Sequence, residues 1–239
     1  MSSKKIQKEV HSLKNPAQAK LLAGFFKTKK GEYGEGDIFL GIKVPVVRGV
    51  AKKYYKEIKL NETEELLHSK FHEERLCALL ILVQKFGDKK ATEEEKKKIF
   101  ECYLNNTKWI NNWDLVDLSS HHIIGKYLYE HKNEIGLLEK LAKSKLLWDR
   151  RISIISLFYF IAKKEFNEAL KIGEMLLGDE HDLIHKAVGW MLREIGKRDL
   201  NVEENFLKIH YKKMPRTMLR YAIEKFPEKK RLAYLKGKV

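Results

Sequence analysis

A basic residue that enters an apolar helical run recurs along this chain of 239 residues, and this recurrence constrains the fold more than any other feature. In chain order the position is occupied by Arg75, Arg151, Lys186 and Arg220. Arg151, Lys186 and Arg220 follow one another at 35 and 34 residues, whereas Arg75 precedes Arg151 by 76 residues. A helix opening near Trp113 fills the slot that this double interval leaves vacant. The recurrence therefore predicts a chain built from repeated helical units.

The spacing favours a particular repeat architecture. Segments suited to be partner helices lie between the repeated ones: the run after Thr92, residues 134–143 and residues 165–177. Helix pairs of 35–40 residues are typical of HEAT-like repeats, and because one pair cannot bury its own apolar face, neighbouring pairs stack into a curved array. We predict an all-α fold, a HEAT-like helical repeat solenoid (an α-α superhelix), as a single domain over residues 1–239. Chance similarity among amphipathic helices is the alternative.

Prolines and glycines mark where helices are interrupted. The chain has four prolines, each where a helix can start or stop: Pro16, Pro45, Pro215 and Pro227. The one glycine-rich stretch, GEYGEGDIFLG at residues 31–41, lacks the Lys-Ser/Thr of a phosphate-binding loop and follows no strand-like run. We interpret it as a loop that leads into a helix beginning near Pro45. No segment shows the alternation of a strand.

The charge balance favours a polyanionic partner. Lys and Arg number 48 against 33 Asp and Glu, which gives a net charge of +15. Nucleic acid is the commonest partner of such a surface, although a helical protein with solvated lysines has the same composition. We expect the concave face of the superhelix to bind DNA. Candidate contacts to the DNA backbone are Lys43, Arg48, Lys186, Arg193, Arg216 and Arg220.

The expected compartment is the cytoplasm. Residues 1–5 carry no apolar segment of a signal peptide, and no stretch approaches 18 consecutive apolar residues. Cys77 and Cys102 each lie within a helical apolar pattern and show no CxxC spacing. They are expected to be reduced core residues.

Acidic and aromatic residues with the spacing of one helical face mark a candidate site. In NNWDLVDLSS, on a helix expected to start at Asn111, Trp113 and Asp117 are four residues apart and share a face. Asp114 points elsewhere and is expected to support the helix N-terminus electrostatically. Trp190 and Arg193, three apart, share a face of a later repeat helix.

Arg151 belongs to an equivalent position of another repeat, so the five residues can converge on one concave surface. A structural interpretation remains open for each of them singly: a helical Trp is commonly core packing, and Asp117 with Arg151 would make an ordinary ion pair between repeats. An acid, two large aromatics and two arginines at equivalent positions favour a functional site over plain packing.

Several segments together resemble one family over nearly the full length of the chain. They are FLGIKVPVVRGVAKKYYK, NNWDLVDLSS, LAKSKLLWDRRISIIS, DLIHKAVGWMLREIGKRD and MPRTMLRYAIEKF. The chain is similar in these segments to the AlkD-like DNA alkylation repair glycosylases. The resemblance implies a catalytic carboxylate at Asp117, aromatic walls at Trp113 and Trp190, an arginine beside the lesion strand at Arg151, and a further basic position at Arg193.

We expect a monomer that needs no cofactor. The resemblance implies a monofunctional glycosylase that acts on alkylated purines in double-stranded DNA. It leaves open the preferred lesion and whether the base is flipped. Two other functions compete with it. A non-catalytic repeat protein that recognises DNA structure would not need Asp117, and a protein-binding scaffold would be expected to carry mixed charge. His121–His122 and His181 with His185 lack a third and fourth ligand at metal-site spacing, so we expect no metal.

Overall fold

The computed structural model of the protein describes residues 2–239 and shows an all-helical chain. Within these residues no strand occurs, and the one β-type contact is an isolated bridge between Ile38 and Phe71. The all-α prediction is confirmed. By internal contacts the chain divides into two compact units, Met1–Ile123 and Ile124–Val239. The single-domain organisation and the superhelical curvature stay predictions.

The first unit contains longer helices followed by a short terminal one. In residues 2–123 the α-helices are α1 (Ser3–Ser12), α2 (Pro16–Phe25), α3 (Val44–Tyr54), α4 (Leu60–Leu67), α5 (His72–Phe86), α6 (Glu93–Asn105) and α7 (Trp113–Asp117). A 3-10 turn over Thr107–Trp109 precedes α7.

Helix α5 is the centre of the first unit. It packs against α3, α4, α6 and α7, and every residue from its start to Leu82 is buried. A helix that is buried on all sides belongs to a core rather than to a surface. Its polar residues are therefore held away from water and need partners within the protein.

Local sequence fixes where the neighbouring helices begin. The Thr92 side chain accepts from the Glu95 N–H, and the Glu95 carboxylate accepts from the Thr92 N–H, a capping box that starts α6. The loop between α2 and α3 runs back under α2. Gly41 has φ +85° there, and a Cβ at this position would lie 2.1 Å from the Asn15 carbonyl oxygen. Only glycine fits this turn.

The second unit continues the succession of helices. In residues 124–239 they are α8 (Lys126–Glu130), α9 (Leu137–Ala142), α10 (Leu147–Ser156), α11 (Phe158–Ala162), α12 (Asn167–Met175), α13 (Asp182–Gly196), α14 (Leu200–His210), α15 (Arg216–Ala222) and α16 (Glu228–Leu235). The 3-10 turns are Lys132–Glu134 and Ile223–Lys225.

Helix α13 is the centre of the second unit. It packs against α10 on one side and α15 on the other, and also contacts α11, α12 and α14. A Cβ at Gly189 would lie 2.4 Å from the Met218 carbonyl oxygen and 2.6 Å from the Tyr221 Cβ, so the absence of a side chain lets α15 approach closely. Helices α10, α13 and α15 thus lie side by side in the order of the repeat that the sequence shows.

Both cysteines are core residues. Cys77 and Cys102 are free and buried, as expected from the sequence, and burial raises the pKa of each thiol to about 12. Neither thiol ionises near neutral pH, so neither is poised as a nucleophile. Across residues 2–239, no helix combines the length and apolar character needed to cross a membrane.

Candidate functional site

Helix α7 is a single turn that carries the candidate acid and the first candidate aromatic. It begins at Trp113 and ends at Asp117. The expected start at Asn111 is wrong by two residues, because Asn112 has extended backbone and its Oδ1 accepts the Trp113 N–H at 2.8 Å. Trp113 and Asp117 are both partly exposed. They stand one above the other at the two ends of this turn.

The indole of Trp113 is fixed from one side and from its edge. Its ring stacks on Phe26 with centroids 5.0 Å apart and meets Phe25 edge-on at 5.9 Å. Its Nε1–H donates to the Tyr33 hydroxyl at 3.2 Å. All three partners come from the end of α2 and the loop that follows. The indole is therefore a partly exposed surface set on an aromatic support.

The chain beyond Asp117 leaves regular helical geometry. Residues His121–Gly125 form a π-helical turn, a feature frequent at functional sites. The His121 ring is hydrogen-bonded to the Asp117 backbone and lies 3.9 Å from the His122 ring. Burial, and then the neighbouring His122, lower the pKa of His121 to about 4. A neutral imidazole thus lies next to the candidate carboxylate at neutral pH.

Asp114 has a more specific role than the sequence indicated. Its Oδ1 accepts the Leu115 N–H at 2.9 Å in the first turn of α7, which agrees with the expected support of the helix start. Its Oδ2, however, lies 2.8 Å from Nε2 of His72, and both residues are buried. The other ring nitrogen of His72 lies 3.1 Å from Oδ2 of Asp37.

Sequence reasoning missed Asp37 and His72. Asp37 lies in the glycine-rich segment that the sequence predicts as a connecting loop, and His72 lies at the start of an apolar run. Their pairing spans 35 residues of chain, so no local pattern shows it. The sequence offers only one indication of them: polar and charged residues, among them His72 and Arg75, stand at the start of a helix that is otherwise apolar.

Helix α13 carries the second aromatic and a candidate arginine. Trp190 is partly exposed, and its Nε1–H donates to Glu194 at 3.3 Å. Its ring centroid lies 6.0 Å from that of Phe158. Arg193 forms an ion pair with Glu224. Arg151 on α10 contacts α13 through its guanidinium.

Arg151 is held inside the second unit. It is only 5% exposed, and its Nη1 donates to the Leu183 carbonyl at 2.5 Å. Of the five residues that the sequence grouped, Arg151, Trp190 and Arg193 therefore lie on or against α13, and Trp113 and Asp117 lie on α7. Trp148, in the first turn of α10 and three residues before Arg151, is also buried.

The remaining basic candidates lie on helix surfaces. Lys43 and Arg48 are exposed on the N-terminal cap and body of α3, and Arg216 and Arg220 are exposed on α15. Lys186 is paired with Asp182 at 2.7 Å on α13. A cleft of about 580 Å³ in the second unit is lined by Asp182, Lys186, Thr217, Arg220, Tyr221, Glu224 and Arg231.

The family assignment rests on the sequence as a whole. Residues 6–226 match the family described as DNA alkylation repair enzyme. The chain belongs to this family. The match covers both units and every candidate residue named above, and it confirms the resemblance seen in the sequence segments. No curated protein matches the chain significantly.

Solved structures show the same fold in related proteins. A protein from Enterococcus faecalis, described as a predicted DNA alkylation repair enzyme, has a TM-score of 0.71 at 20% identity, with 90% of this chain and 97% of that chain covered. AlkD2 from Streptococcus mutans has a TM-score of 0.59 at 17% identity, with coverage of 89% and 98%. Smu.31 from Streptococcus mutans UA159 has a TM-score of 0.58 at 18% identity, with coverage of 77% and 93%. At these identities the likeness concerns the fold.

Side chains that bind metals are not clustered in this DNA alkylation repair family member. Among residues 2–239, no group of three or more His, Cys, Asp or Glu side chains is arranged to hold a metal ion. The His121 and His122 rings pack against each other in a tilted arrangement, and His181 uses its Nδ1 to accept the Leu183 N–H at 3.1 Å. These rings are engaged in local contacts.

Proposed function

We propose that this protein is a DNA glycosylase that hydrolyses the N-glycosidic bond of positively charged N3- or N7-alkylated purines in double-stranded DNA. It would thereby begin base excision repair of alkylation damage. The observation that carries the proposal is the pairing of a partly exposed carboxylate, Asp117, with a partly exposed indole, Trp113, on one helical turn. Membership of the DNA alkylation repair family supplies the class of substrate.

The main contribution that the reaction requires from the protein is electrostatic stabilisation of positive charge. An alkylated purine is a cation, so it leaves as a neutral base when the bond between C1′ and the purine nitrogen breaks. The sugar passes through an oxocarbenium-like state, water adds to C1′, and the proton that water loses goes to Asp117 or solvent. A carboxylate about 4 Å from the developing charge is worth about 4 kcal/mol at an effective dielectric of about 20, or roughly a thousandfold in rate.

Selectivity would come from the two indoles. The face of a Trp attracts a cation by about 0.5–2 kcal/mol, and a neutral purine gains none of this. One face of Trp113 is already occupied by Phe26, so the remaining partly exposed surface is what a cationic base or sugar would meet. Trp190 offers a similar surface on α13. Either indole would favour alkylated over normal purines without a tight base-reading pocket.

DNA would be held through its phosphates. The exposed Lys43, Arg48, Arg216 and Arg220 supply cations on α3 and α15. Arg193 and Lys186 would exchange their present carboxylate partners for phosphate. Arg151 is buried and would act indirectly, by holding α13, the helix that carries Trp190 and Arg193. We further propose that the protein works in the cytoplasm as a monomer and without a cofactor.

Incubation with methylated duplex DNA tests this function. Chromatography of the supernatant should detect free 3-methyladenine or 7-methylguanine and leave an abasic strand, whereas the same duplex without methylation should release nothing. Tight binding of both duplexes with no released base would contradict the proposal and would instead support a non-catalytic protein that recognises DNA structure.

A further inference from the structure

Asp37, in the loop between α2 and α3, is a buried carboxylate with three partners. Its Oδ2 accepts the Asn112 Nδ2–H at 3.0 Å and lies 3.1 Å from the His72 Nδ1. Its Oδ1 is paired with the Arg75 guanidinium. All four side chains are buried. Asp37 thus connects a loop, the core helix α5 and the residue that caps α7.

His72 completes the connection to α7. Its ring lies between two carboxylates, with Nδ1 on Asp37 and Nε2 on Asp114 at 2.8 Å. Burial opposes the charge of His72, but Asp114 and Asp37 outweigh burial and raise its pKa to about 9. Two acids and two cations, the second being Arg75, therefore balance within the core. Removing the charge of one member leaves a buried charge on the others without a compensating partner.

The residues before and after Trp113 are both hydrogen-bonded to this cluster. The residue before it, Asn112, is bound to Asp37, and the residue after it, Asp114, is bound to His72. A column of stacked rings joins the same elements. His72 stacks on Phe39 at 4.4 Å, Phe39 on Phe26 at 5.0 Å, and Phe26 on Trp113 at 5.0 Å. Both the backbone and the indole plane of Trp113 are thereby fixed relative to α5.

We propose that Asp37 and His72 are positioning residues that set the orientation of Trp113 and, through the single turn of α7, of Asp117 for base excision. This inference rests on the proposed function. Stability alone is a weak reason for such a cluster, since apolar residues of similar volume commonly stabilise a core as well or better. Orientation is a stronger one, because a helix of five residues has little rigidity of its own.

A matched pair of variants separates positioning from stability. Asp37→Asn removes the charge that holds Asn112 and His72. Glu74→Gln removes an equally buried carboxylate from α5, but the partners of Glu74 are Gln7, Ser69 and His11, away from α7. Both variants should lower the melting temperature.

Three quantities are then measured on each protein: the single-turnover rate of base release at saturating DNA, the Kd for DNA, and the indole N–H resonance of Trp113, assigned with Trp113→Phe. In Asp37→Asn the rate should fall by about tenfold to a hundredfold, as expected for a displacement near 1 Å. Its Kd should change by less than about threefold, because phosphate contacts dominate affinity. The Trp113 resonance should shift. Glu74→Gln should leave all three quantities unchanged.

The inference is overturned if Asp37→Asn leaves the resonance and the rate unchanged, or if Glu74→Gln alters them equally. Should Asp37→Asn not fold, His72→Gln makes the same test, because an amide can keep one of the two hydrogen bonds while losing the charge. Failure of the proposed function is distinguishable. A wild-type protein that releases no base contradicts the glycosylase, while the Trp113 resonance still reports whether Asp37 and His72 orient the indole.

Discussion

His72 is the residue whose protonation most directly affects the folded state. Asp37 faces it from the loop, Asp114 faces it from α7, and Arg75 lies one turn further along its own helix. The two carboxylates make the charged ring the stable form in the fold. An exposed histidine has a pKa near 6.5, so the folded chain keeps this proton to a higher pH than the unfolded chain does.

This difference predicts how stability varies with pH. The stabilisation from protonated His72 is complete below about pH 6.5 and is lost as the pH rises through about 9, because the folded-state pKa is the raised one. Between about pH 6 and about pH 10, the free energy of unfolding measured in urea should fall by about 3 kcal/mol more in the wild type than in His72→Gln. Identical pH slopes in the two proteins would contradict a charged ring.

Each of the two candidate indoles should contribute measurably to the rate of base release. Trp113→Ala and Trp190→Ala should each lower base release by about twofold to thirtyfold, since each loses one cation–π contact of about 0.5–2 kcal/mol. Trp109→Ala is the control, because this indole is also partly exposed but packs on His68. Rates are compared per folded molecule. Equal losses in all three variants would show a general effect of removing an indole.

At the scale of helices, the four prolines predict helix starts correctly because these starts depend on local backbone geometry. Pro16 is the first residue of α2, Pro45 the second of α3, and Pro215 and Pro227 cap α15 and α16. Each relies on the fixed φ of proline and its missing N–H, which need no tertiary partner.

What the sequence cannot supply is the partner of a polar side chain. Trp113, Asp117 and Trp190 were found from their spacing on a helical face. The link between Asp37 and Asn112 spans 75 residues, and nothing in either segment specifies it. The burial of a charged side chain cannot be predicted from the sequence either. The charge of Arg151 suggests a surface position, whereas its guanidinium lies in the core. These properties arise only when helices pack.

Two glycines within helices should respond in opposite ways to the same change. Gly189→Ala would force α13 and α15 apart, because its Cβ meets backbone at 2.4 Å, and overpacking of this kind costs about 1–3 kcal/mol or more. Gly49→Ala on α3 meets nothing within 4 Å and should add up to about 1 kcal/mol through helix propensity. Urea unfolding measures both. A tolerated Gly189→Ala would contradict the close approach of the two helices.

For the whole molecule, the net charge of +15 predicts how DNA affinity responds to salt. If about six phosphates are neutralised, the logarithm of the affinity should fall with the logarithm of salt concentration at a slope of about −5. A fluorescence titration with duplex DNA from low to moderate salt gives this slope. A slope near zero would be incompatible with binding through the DNA backbone.

The central claim is that Asp117 stabilises cationic charge during hydrolysis. Asp117→Asn keeps the size of the side chain and removes its charge. The melting temperature and the DNA affinity should therefore stay close to those of the wild type. Base release should drop by about a hundredfold or more, since one well-placed electrostatic contact is worth about 3–4 kcal/mol in the transition state.

The most direct measurement combines thermal unfolding with the release of 7-methylguanine or 3-methyladenine on one preparation of Asp117→Asn. A stable protein that binds methylated DNA and has lost excision is the predicted result. A protein with a lowered melting temperature but unchanged release per folded molecule would make Asp117 a structural residue, and unchanged release by a stable protein would remove it from the reaction; either result contradicts the account.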